Sequence, residues 1–438
     1  MRLRRNQKGA TLVEYAILAG GLAAATISGI YMVGTESSET FQKAADQVEK
    51  AREDMGAVTG PTGPAPEPIP DPSGPEMLLT YEATNAQITV PLNGAVNVTI
   101  DWGGANASCP TTVTTAGDIG CTYDTPGTYT VSILGSIEQF GSDGWEPVPN
   151  AANLVSVDSW GDTGLQKLYQ SFKGASNLQT VPSNLPSTVW NMQAAFTESG
   201  YNGAEVTSWD TSNVLNMSYM FRNTNFTQDI SSWNTSKVQT MEGMFSGASI
   251  FNQPIGSWDT SSVHNTGYMF NNAVKFNQDL TGWDMSGVTW AESMFSGATD
   301  FNGDISSWDV SELRNMVSMF KDATSFNSNI GSWNTMNMEY MTSAFRNATS
   351  FNQNIGGWNT ANVQLMDSVF RDAAIFNQDL SSWNTSRADS MYEMFQDAIA
   401  FNSDLSGWCV SRIGSKPANF DTGATSWVAG RPVWGSCP

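Results

Sequence analysis

The chain has 438 residues with 42 acidic and 20 basic side chains, so its formal net charge at pH 7 is −22. A surface of this charge repels nucleic acid, and we expect no nucleic-acid partner. Because His264 is the single histidine, a Ser-His-Asp triad that does not include it is excluded, and so is any metal site with several histidines. We therefore expect neither a bound metal nor a cofactor.

The N-terminus combines a short basic segment, residues 1–9, with an apolar stretch that runs from Ala10 to Val33. At about 1.5 Å per residue, such a stretch is long enough to cross a bilayer as an α-helix. The sequence predicts a long hydrophobic helix within residues 10–55, with its basic flank in the cytoplasm. Glu14 interrupts the stretch, and an acid inside a span usually marks a function.

Four of these N-terminal residues carry a family resemblance. Gly9 followed by Ala10, with Glu14 and Tyr15 at the fifth and sixth positions after the glycine, resembles type IVb pilins of the Flp family. The resemblance implies that a prepilin peptidase cuts after Gly9. It also implies that Glu14 pairs with the new α-ammonium of Ala10 in a neighbouring subunit, because an unpaired buried charge is costly.

This resemblance defines the expected location and partners. The chain would be a precursor in the inner membrane and then an extracellular subunit on a pilus or the cell surface. Its partners would be other pilin subunits, the peptidase and a host, matrix or cell-surface ligand. Two plainer interpretations of the apolar stretch are a cleaved signal peptide, for which it is too long, and a membrane anchor that never polymerises.

A spacer and a β-domain follow. Residues 56–76 hold seven of the 18 prolines and predict an extended linker. Residues 77–138 alternate apolar and polar side chains in short runs, which predicts strands. The D-W-G turn at Asp101–Gly103 and the later segment Y-x-x-P-G-T-Y-T-V resemble a PKD-type β-sandwich, in which Trp102 is a core residue. Residues 139–164 would connect it to the next domain.

Four cysteines lie in two groups, two in the middle of the chain and two near its end, and none shows C-x-x-C spacing. Three pairings are possible, and the placement favours Cys109 with Cys121 and Cys409 with Cys437. Disulfides indicate an oxidising compartment outside the cytoplasm.

The rest of the chain is repetitive, with tryptophans at one constant interval from Trp233 to Trp408. Two half-motifs alternate. F-N-x-x-[IL]-x-x-W predicts a short strand, and V-x-x-M-x-x-M-F has helical spacing. With weaker copies from Leu165 and Val189, they predict a right-handed, leucine-rich-repeat-like α/β solenoid of about ten turns over residues 165–408. We assign these residues to its shared core: Trp233, Trp258, Trp283, Trp308, Trp333, Trp358, Trp383, Phe251, Phe276 and Phe301.

The segment MFSGASIFNQPIGSWDTSSV and its copies resemble the BspA-like leucine-rich-repeat surface proteins, over residues 160–438. This resemblance implies a cell-surface protein that binds a partner, with residues 409–438 as a disulfide-closed cap. We therefore expect a pilin-type subunit that displays an adhesive repeat domain. The alternative is a non-polymerising, membrane-anchored BspA-like adhesin.

Two polar rows follow the repeat. The asparagine after the first phenylalanine of each unit, from Asn252 to Asn402, stacks into a ladder that we expect to hydrogen-bond between turns. Asp279 and Asp304 occupy matching positions, where calcium is a weak alternative. Because the acids follow the repeat without a unique cluster, a displayed hydrolase is the least favoured interpretation, and we expect no enzyme.

Overall fold

The structure is a computed structural model that describes residues 75–104, 109–144 and 146–438. The expected leader, hydrophobic helix and nearly all of the linker lie outside the described residues, and so do Gly9, Ala10, Glu14 and Tyr15. The described residues belong to one compact unit, Gly60–Pro438.

An antiparallel sheet of six strands forms the first part of this unit. Its strands are β1 (Met77–Ala83), β2 (Gln87–Asp101), β3 (Thr112–Val113), β4 (Gly117–Thr122), β5 (Gly127–Phe140) and β6 (Leu154–Trp160). The strand order is β3-β2-β5-β1-β6, with β4 also paired to β2.

The expected two-sheet sandwich is therefore wrong, and the length of β2 explains why. This strand has 15 residues. It pairs with β4 through Gln87–Leu92 and with β5 through Leu92–Asp101, so a single strand links pairings that a sandwich would divide between two sheets. A register shift between Asn93 and Val96 accompanies the change of partner, and Gly94 there has a φ of +70°.

The described part of the chain contains no α-helix, and its helical pieces are two 3-10 turns, Ala151–Asn153 and Glu205–Ser208. The expected fold class is thus corrected: neither a long helix nor an α/β solenoid is present among these residues. Strands make up the first part, and tight turns joined by isolated parallel bridges make up the second.

Backbone hydrogen bonds explain why V-x-x-M-x-x-M-F is not helical. Alternate N–H groups leave the segment for the next turn: Met241 N–H donates to the Asn265 carbonyl at 3.1 Å, and Phe245 N–H to the Met269 carbonyl at 2.9 Å. Met244 N–H, between them, donates to the carbonyl of Met241. An α-helix needs every N–H for a carbonyl four residues back, so this alternation excludes it.

The alternation uses two left-handed residues in each turn, such as Tyr268 and Asn272 with φ of 58° and 56°. The second position usually holds glycine, asparagine or aspartate, which tolerate this conformation best. Its occupants in the first two turns are Gly174 and Glu198, and those that follow are Asn223, Gly247, Asn272, Gly297, Asp322, Asn347, Asp372 and Asp397.

Parallel bridges connect the turns into one ladder. The bridged residues are Gln139, Lys167, Asn191, Asn216, Thr240, Asn265, Trp290, Asn315, Tyr340, Leu365 and Ser390. From Asn191 onward they lie just before the first methionine position of each unit, which Thr266 and Ala291 occupy in two units, so the parallel strands expected in F-N-x-x-[IL] are misplaced. Because Gln139 belongs to β5, the ladder starts on the sheet and the two parts are continuous.

Aromatic rings fill the space inside the turns. Trp258 and Trp283 stack with ring centroids 6.5 Å apart, and Phe251 and Phe276 with centroids 6.1 Å apart. Each core tryptophan of the repeat from Trp258 to Trp408 donates its indole N–H to the carbonyl of an isoleucine or leucine 28 residues earlier. The rings therefore link neighbouring turns by both stacking and hydrogen bonding.

The last turn is covered by residues 409–438. Trp427 meets Phe395 and Phe401 edge-on, with centroid distances of 5.2 and 4.7 Å. Arg431 lies over the Trp427 ring at 4.5 Å and pairs with Asp421 at 3.1 Å. This segment replaces the missing next turn and keeps the final aromatic layer out of water.

Candidate functional surface

The tryptophans and phenylalanines assigned to the repeat core are at most 4 % exposed. They hold the turns together and are not accessible to a ligand.

The cysteines form two disulfides, Cys109–Cys121 and Cys409–Cys437. The first ties β4 to the segment before β3, and the second closes the C-terminal segment over 28 residues. Backbone hydrogen bonding also joins the two segments of the second disulfide, since Val410 N–H donates to the Ser436 carbonyl at 2.8 Å.

The asparagine ladder is a hydrogen-bonded row between turns. Asn277 N–H donates to the side-chain oxygen of Asn252 at 2.9 Å, and the same bond recurs in each following turn. The oxygen of Asn402 accepts from Val428 and Ala429 in the cap. These oxygens are thus occupied by the protein's own backbone.

The aspartates behave similarly: Asp279 accepts a hydrogen bond from Asp304 N–H at 2.8 Å. Among residues 75–104, 109–144 and 146–438, no group of three or more His, Cys, Asp or Glu side chains could hold a metal ion. The two polar rows therefore stabilise the stacking of turns.

A second set of side chains, which follows the parallel bridges, varies from turn to turn and is buried or half-buried. We call it the ladder face and define it as the bridged residues from Asn216 to Ser390 together with the residues two positions after each. The latter are Ser218, Glu242, Gly267, Glu292, Val317, Thr342, Asp367 and Tyr392. The phenylalanine and tryptophan positions of the core keep the same residue from turn to turn, so this face can change without disturbing the aromatic stack.

An acid–aromatic cluster lies on the ladder face. The Tyr219 hydroxyl donates to Glu242, and the Tyr268 hydroxyl donates to Glu292. Asn265 donates its amide to the other Glu242 oxygen at 3.2 Å. Hydroxyl and amide donors thus hold both carboxylates in place.

Glu292 is 2 % exposed, and this burial raises its pKa to about 7. The nearby charge of Glu242 raises the pKa further, while the donors of Tyr268, Trp290 and Asn315 lower it; the indole N–H of Trp290 acts from outside hydrogen-bond geometry. Burial and then the charge of Glu292 raise the pKa of Tyr268 in turn. The cluster therefore changes charge near neutral pH through Glu292.

Further along the solenoid, a basic stack follows the phenylalanines of three successive turns, and consists of Lys321, Arg346 and Arg371. Arg371 pairs with Glu393 and lies 3.3 Å from Asp372. Burial lowers the pKa of Lys321, and burial followed by the charge of Arg371 lowers that of Arg346. The cations of this stack therefore lie beside acids of their own and neighbouring turns.

Neither of these groups was singled out from the sequence, because their members lie one or two whole repeats apart and form no motif. A comparison of the repeats position by position would have revealed both groups. It shows glutamates at 242 and 292 flanking a glycine at 267, and cations in three consecutive units.

The stacked turns, bridged in parallel around shared aromatic layers, define a repeat solenoid protein. The family model that matches is described as Mycoplasma protein of unknown function, DUF285, and it matches four times, at residues 150–225, 190–298, 278–360 and 327–427. Together these matches cover more than half of the chain, which belongs to this family. No curated protein and no solved structure matches it.

This family match corrects the family assignment that we made from the N-terminal residues. The matched family is DUF285, so the assignment to the Flp pilins is wrong, and with it the expected pilus assembly and prepilin processing. That assignment rested on four residues, too few to identify a family. An inner-membrane precursor is likewise not supported, since the described part of the chain includes no helix sufficiently long and apolar to span a bilayer.

Proposed function

We propose that the protein is a surface repeat protein that works outside the cytoplasm and binds a partner through its ladder face. This function is the one that the resemblance to BspA-like adhesins implies. The observation that supports this function is the difference between the constant core positions and the variable positions of the ladder face. The core phenylalanines and tryptophans recur from turn to turn, while the ladder face brings unlike charged and aromatic side chains together.

Two further features support this proposal. Disulfides such as Cys109–Cys121 and Cys409–Cys437 are characteristic of proteins outside the cytoplasm. A net charge of −22 suits an exposed, soluble surface. We further propose that the protein binds without turnover, because the aspartates that follow the repeat, such as Asp279, accept hydrogen bonds from its backbone.

The test uses the full chain on a panel of immobilised extracellular-matrix proteins and cell-surface glycans. Tyr340 and Leu365 are adjacent, half-buried members of the ladder face. We expect the double variant Tyr340→Ala/Leu365→Ala to weaken partner binding about tenfold or more, as removal of interface anchors does.

The matched control is Met336→Ala, because Met336 is 48 % exposed and lies outside the ladder face. The control should bind as the unmodified chain does. Binding lost in the control but kept in the double variant would place the interface elsewhere. Hydrolysis of a panel component would instead identify an enzyme.

A further inference from the structure

Three consecutive turns place Glu242, Gly267 and Glu292 at equivalent positions of the ladder face. The absent side chain of Gly267 leaves a notch between the two glutamates. A Cβ there would lie 3.2 Å from Asn265 Oδ1 and 3.5 Å from Trp290 Cδ1. The pyrrole edge of the Trp290 ring therefore covers the notch, with Asn265 beside it.

Two polar atoms at this notch are buried without a hydrogen-bond partner of normal geometry among the described residues. They are Glu292 Oε2 and Trp290 Nε1. Glu292 is 2 % exposed and Trp290 is 7 % exposed, so water does not satisfy them from the surface. A buried polar group without a partner destabilises the state that contains it. A ligand that supplies a hydrogen-bond partner to these atoms would therefore stabilise an open notch relative to the covered one.

The chemistry around the notch favours a cation. Two carboxylates flank it, the hydroxyls of Tyr219 and Tyr268 bond these carboxylates, and the Trp290 ring lies against Gly267. Carboxylate oxygens together with aromatic faces attract ammonium and guanidinium groups. Arg222 lies 5.9 Å from the centre of the Tyr219 ring.

We propose that the notch at Gly267 receives one ammonium or guanidinium group, from a lysine or arginine side chain of the partner, when the Trp290 ring turns away from it. The bound group donates to Glu292 Oε2, and the indole N–H of Trp290 reaches solvent. This inference rests on the proposed function, because it names the partner chemistry of one part of the ladder face.

Binding of this kind depends on pH. The charged and titratable groups that face Glu292 from the adjacent turns are Glu242, Tyr268 and Tyr219, with Arg222 beyond them. Since burial raises the pKa of Glu292 to about 7, its carboxylate becomes the charged form as pH rises through neutrality. A cation binds the charged form better, so affinity should increase from pH 6 to 8.

The experiment follows the indole N–H signals of the full chain by ¹⁵N NMR, with the Trp290 signal assigned from its loss in Trp290→Phe. The probe is Nα-acetyl-lysine methylamide at about 0.15 M salt, where distant surface charges are screened. We expect a saturable shift of the Trp290 signal. Glu292→Gln should weaken binding about tenfold or more, since it removes the charged acceptor.

Two variants and one matched ligand control the result. Gly267→Ala fills the notch with one methyl group and should also weaken binding, while the other indole signals report that the fold is kept. Glu312→Gln removes an exposed acid elsewhere in the solenoid and should leave affinity unchanged. The norleucine derivative has the same apolar chain without the charge and should not shift the Trp290 signal.

Several results would overturn the inference. One is an equal shift with the norleucine derivative or with glucose, which would indicate an apolar or carbohydrate site. Another is equal weakening by Glu312→Gln, which would indicate non-specific charge attraction. The third is no saturable shift below about 50 mM probe, weaker than any useful contact. If these occur while Tyr340→Ala/Leu365→Ala still abolishes partner binding, the notch fails and the proposed function stands.

Discussion

Each repeat tryptophan buries a large ring and also uses its indole N–H to bind a carbonyl of the preceding turn. Trp308 illustrates both roles: it stacks between Trp283 and Trp333, and it donates to the Leu280 carbonyl at 2.9 Å. Phenylalanine offers the stacking but not the donor. This combination explains, residue by residue, why tryptophan occupies this position in every unit.

Trp308→Phe should therefore lower the free energy of unfolding by about 2–4 kcal/mol, from lost volume and an unpaired carbonyl. The measurement is guanidinium unfolding followed by circular dichroism. Trp434→Phe, at a half-buried position in the cap, is the control and should lose under about 1 kcal/mol. Equal losses in both variants would show that the indole hydrogen bond contributes little.

Glu292 makes stability depend on pH. Its pKa rises from 4.5 to about 7 in the folded protein. Between these values the folded chain keeps a proton that the unfolded chain releases. This contribution to stability is complete below about pH 4.5 and is lost as pH rises through about 7.

We expect the difference in unfolding free energy between the unmodified chain and Glu292→Gln to fall by about 2–3 kcal/mol from pH 5 to pH 8. Denaturant unfolding at four pH values measures it. The same comparison with Glu312→Gln should give a flat difference, because that side chain is exposed. A flat difference for Glu292→Gln as well would mean that this carboxyl titrates normally.

At the scale of elements, the repeat period could be predicted from the sequence, but the backbone conformation within each repeat could not. The spacing of Val238, Met241, Met244 and Phe245 matches a helix, because only apolar positions are counted. The segment is not helical, since alternate N–H groups serve the next turn, and a helical pattern carries no information about that neighbour. The glycine, asparagine or aspartate two residues after the second phenylalanine was the overlooked signal of a left-handed residue.

Asn347 tests this explanation, because its φ is 55°. Its amide also donates to Asp322 at 2.9 Å, and both Asn347→Gly and Asn347→Val lose that bond. The difference between the two variants therefore isolates the backbone. We expect the valine variant to be less stable than the glycine variant by about 1–3 kcal/mol, measured by denaturant unfolding.

Asn327, which is not among the left-handed residues, serves as the matched position. At position 327 we expect glycine to give no comparable gain in stability over valine. If both positions rank glycine and valine alike, the left-handed backbone does not decide the choice of residue in the repeat.

At the scale of the whole molecule, the constant interval between repeats predicts which residues stack, since equivalent positions of successive units must meet. It does not predict the notch. Glu242 and Glu292 lie two repeats apart in the sequence, and only the ladder shows that both lie beside Gly267 under Trp290. The topology of the sheet was harder still to predict, because the pairing of β2 with both β4 and β5 depends on contacts between distant segments.

A solenoid of this kind is held by contacts between adjacent turns, so its ends are its weakest points. At the start, the ladder continues from β5 through the bridge between Gln139 and Lys167. At the other end, Trp427 covers the last aromatic layer. The two ends are thus protected differently, one by backbone pairing to a sheet and the other by a side chain.

Trp427→Ala should therefore unfold the molecule from one end. Uncovering Phe395 and Phe401 removes edge-on contacts and leaves a cavity, for a loss of about 3–5 kcal/mol at that site. Hydrogen exchange measured by mass spectrometry should show faster exchange in the last two or three turns, fading toward the sheet. Val428→Ala is the control, because Val428 is 84 % exposed next to Trp427 and should leave exchange unchanged. Uniformly faster exchange from β1 to the cap would instead mean that the sheet and the solenoid unfold as one cooperative body.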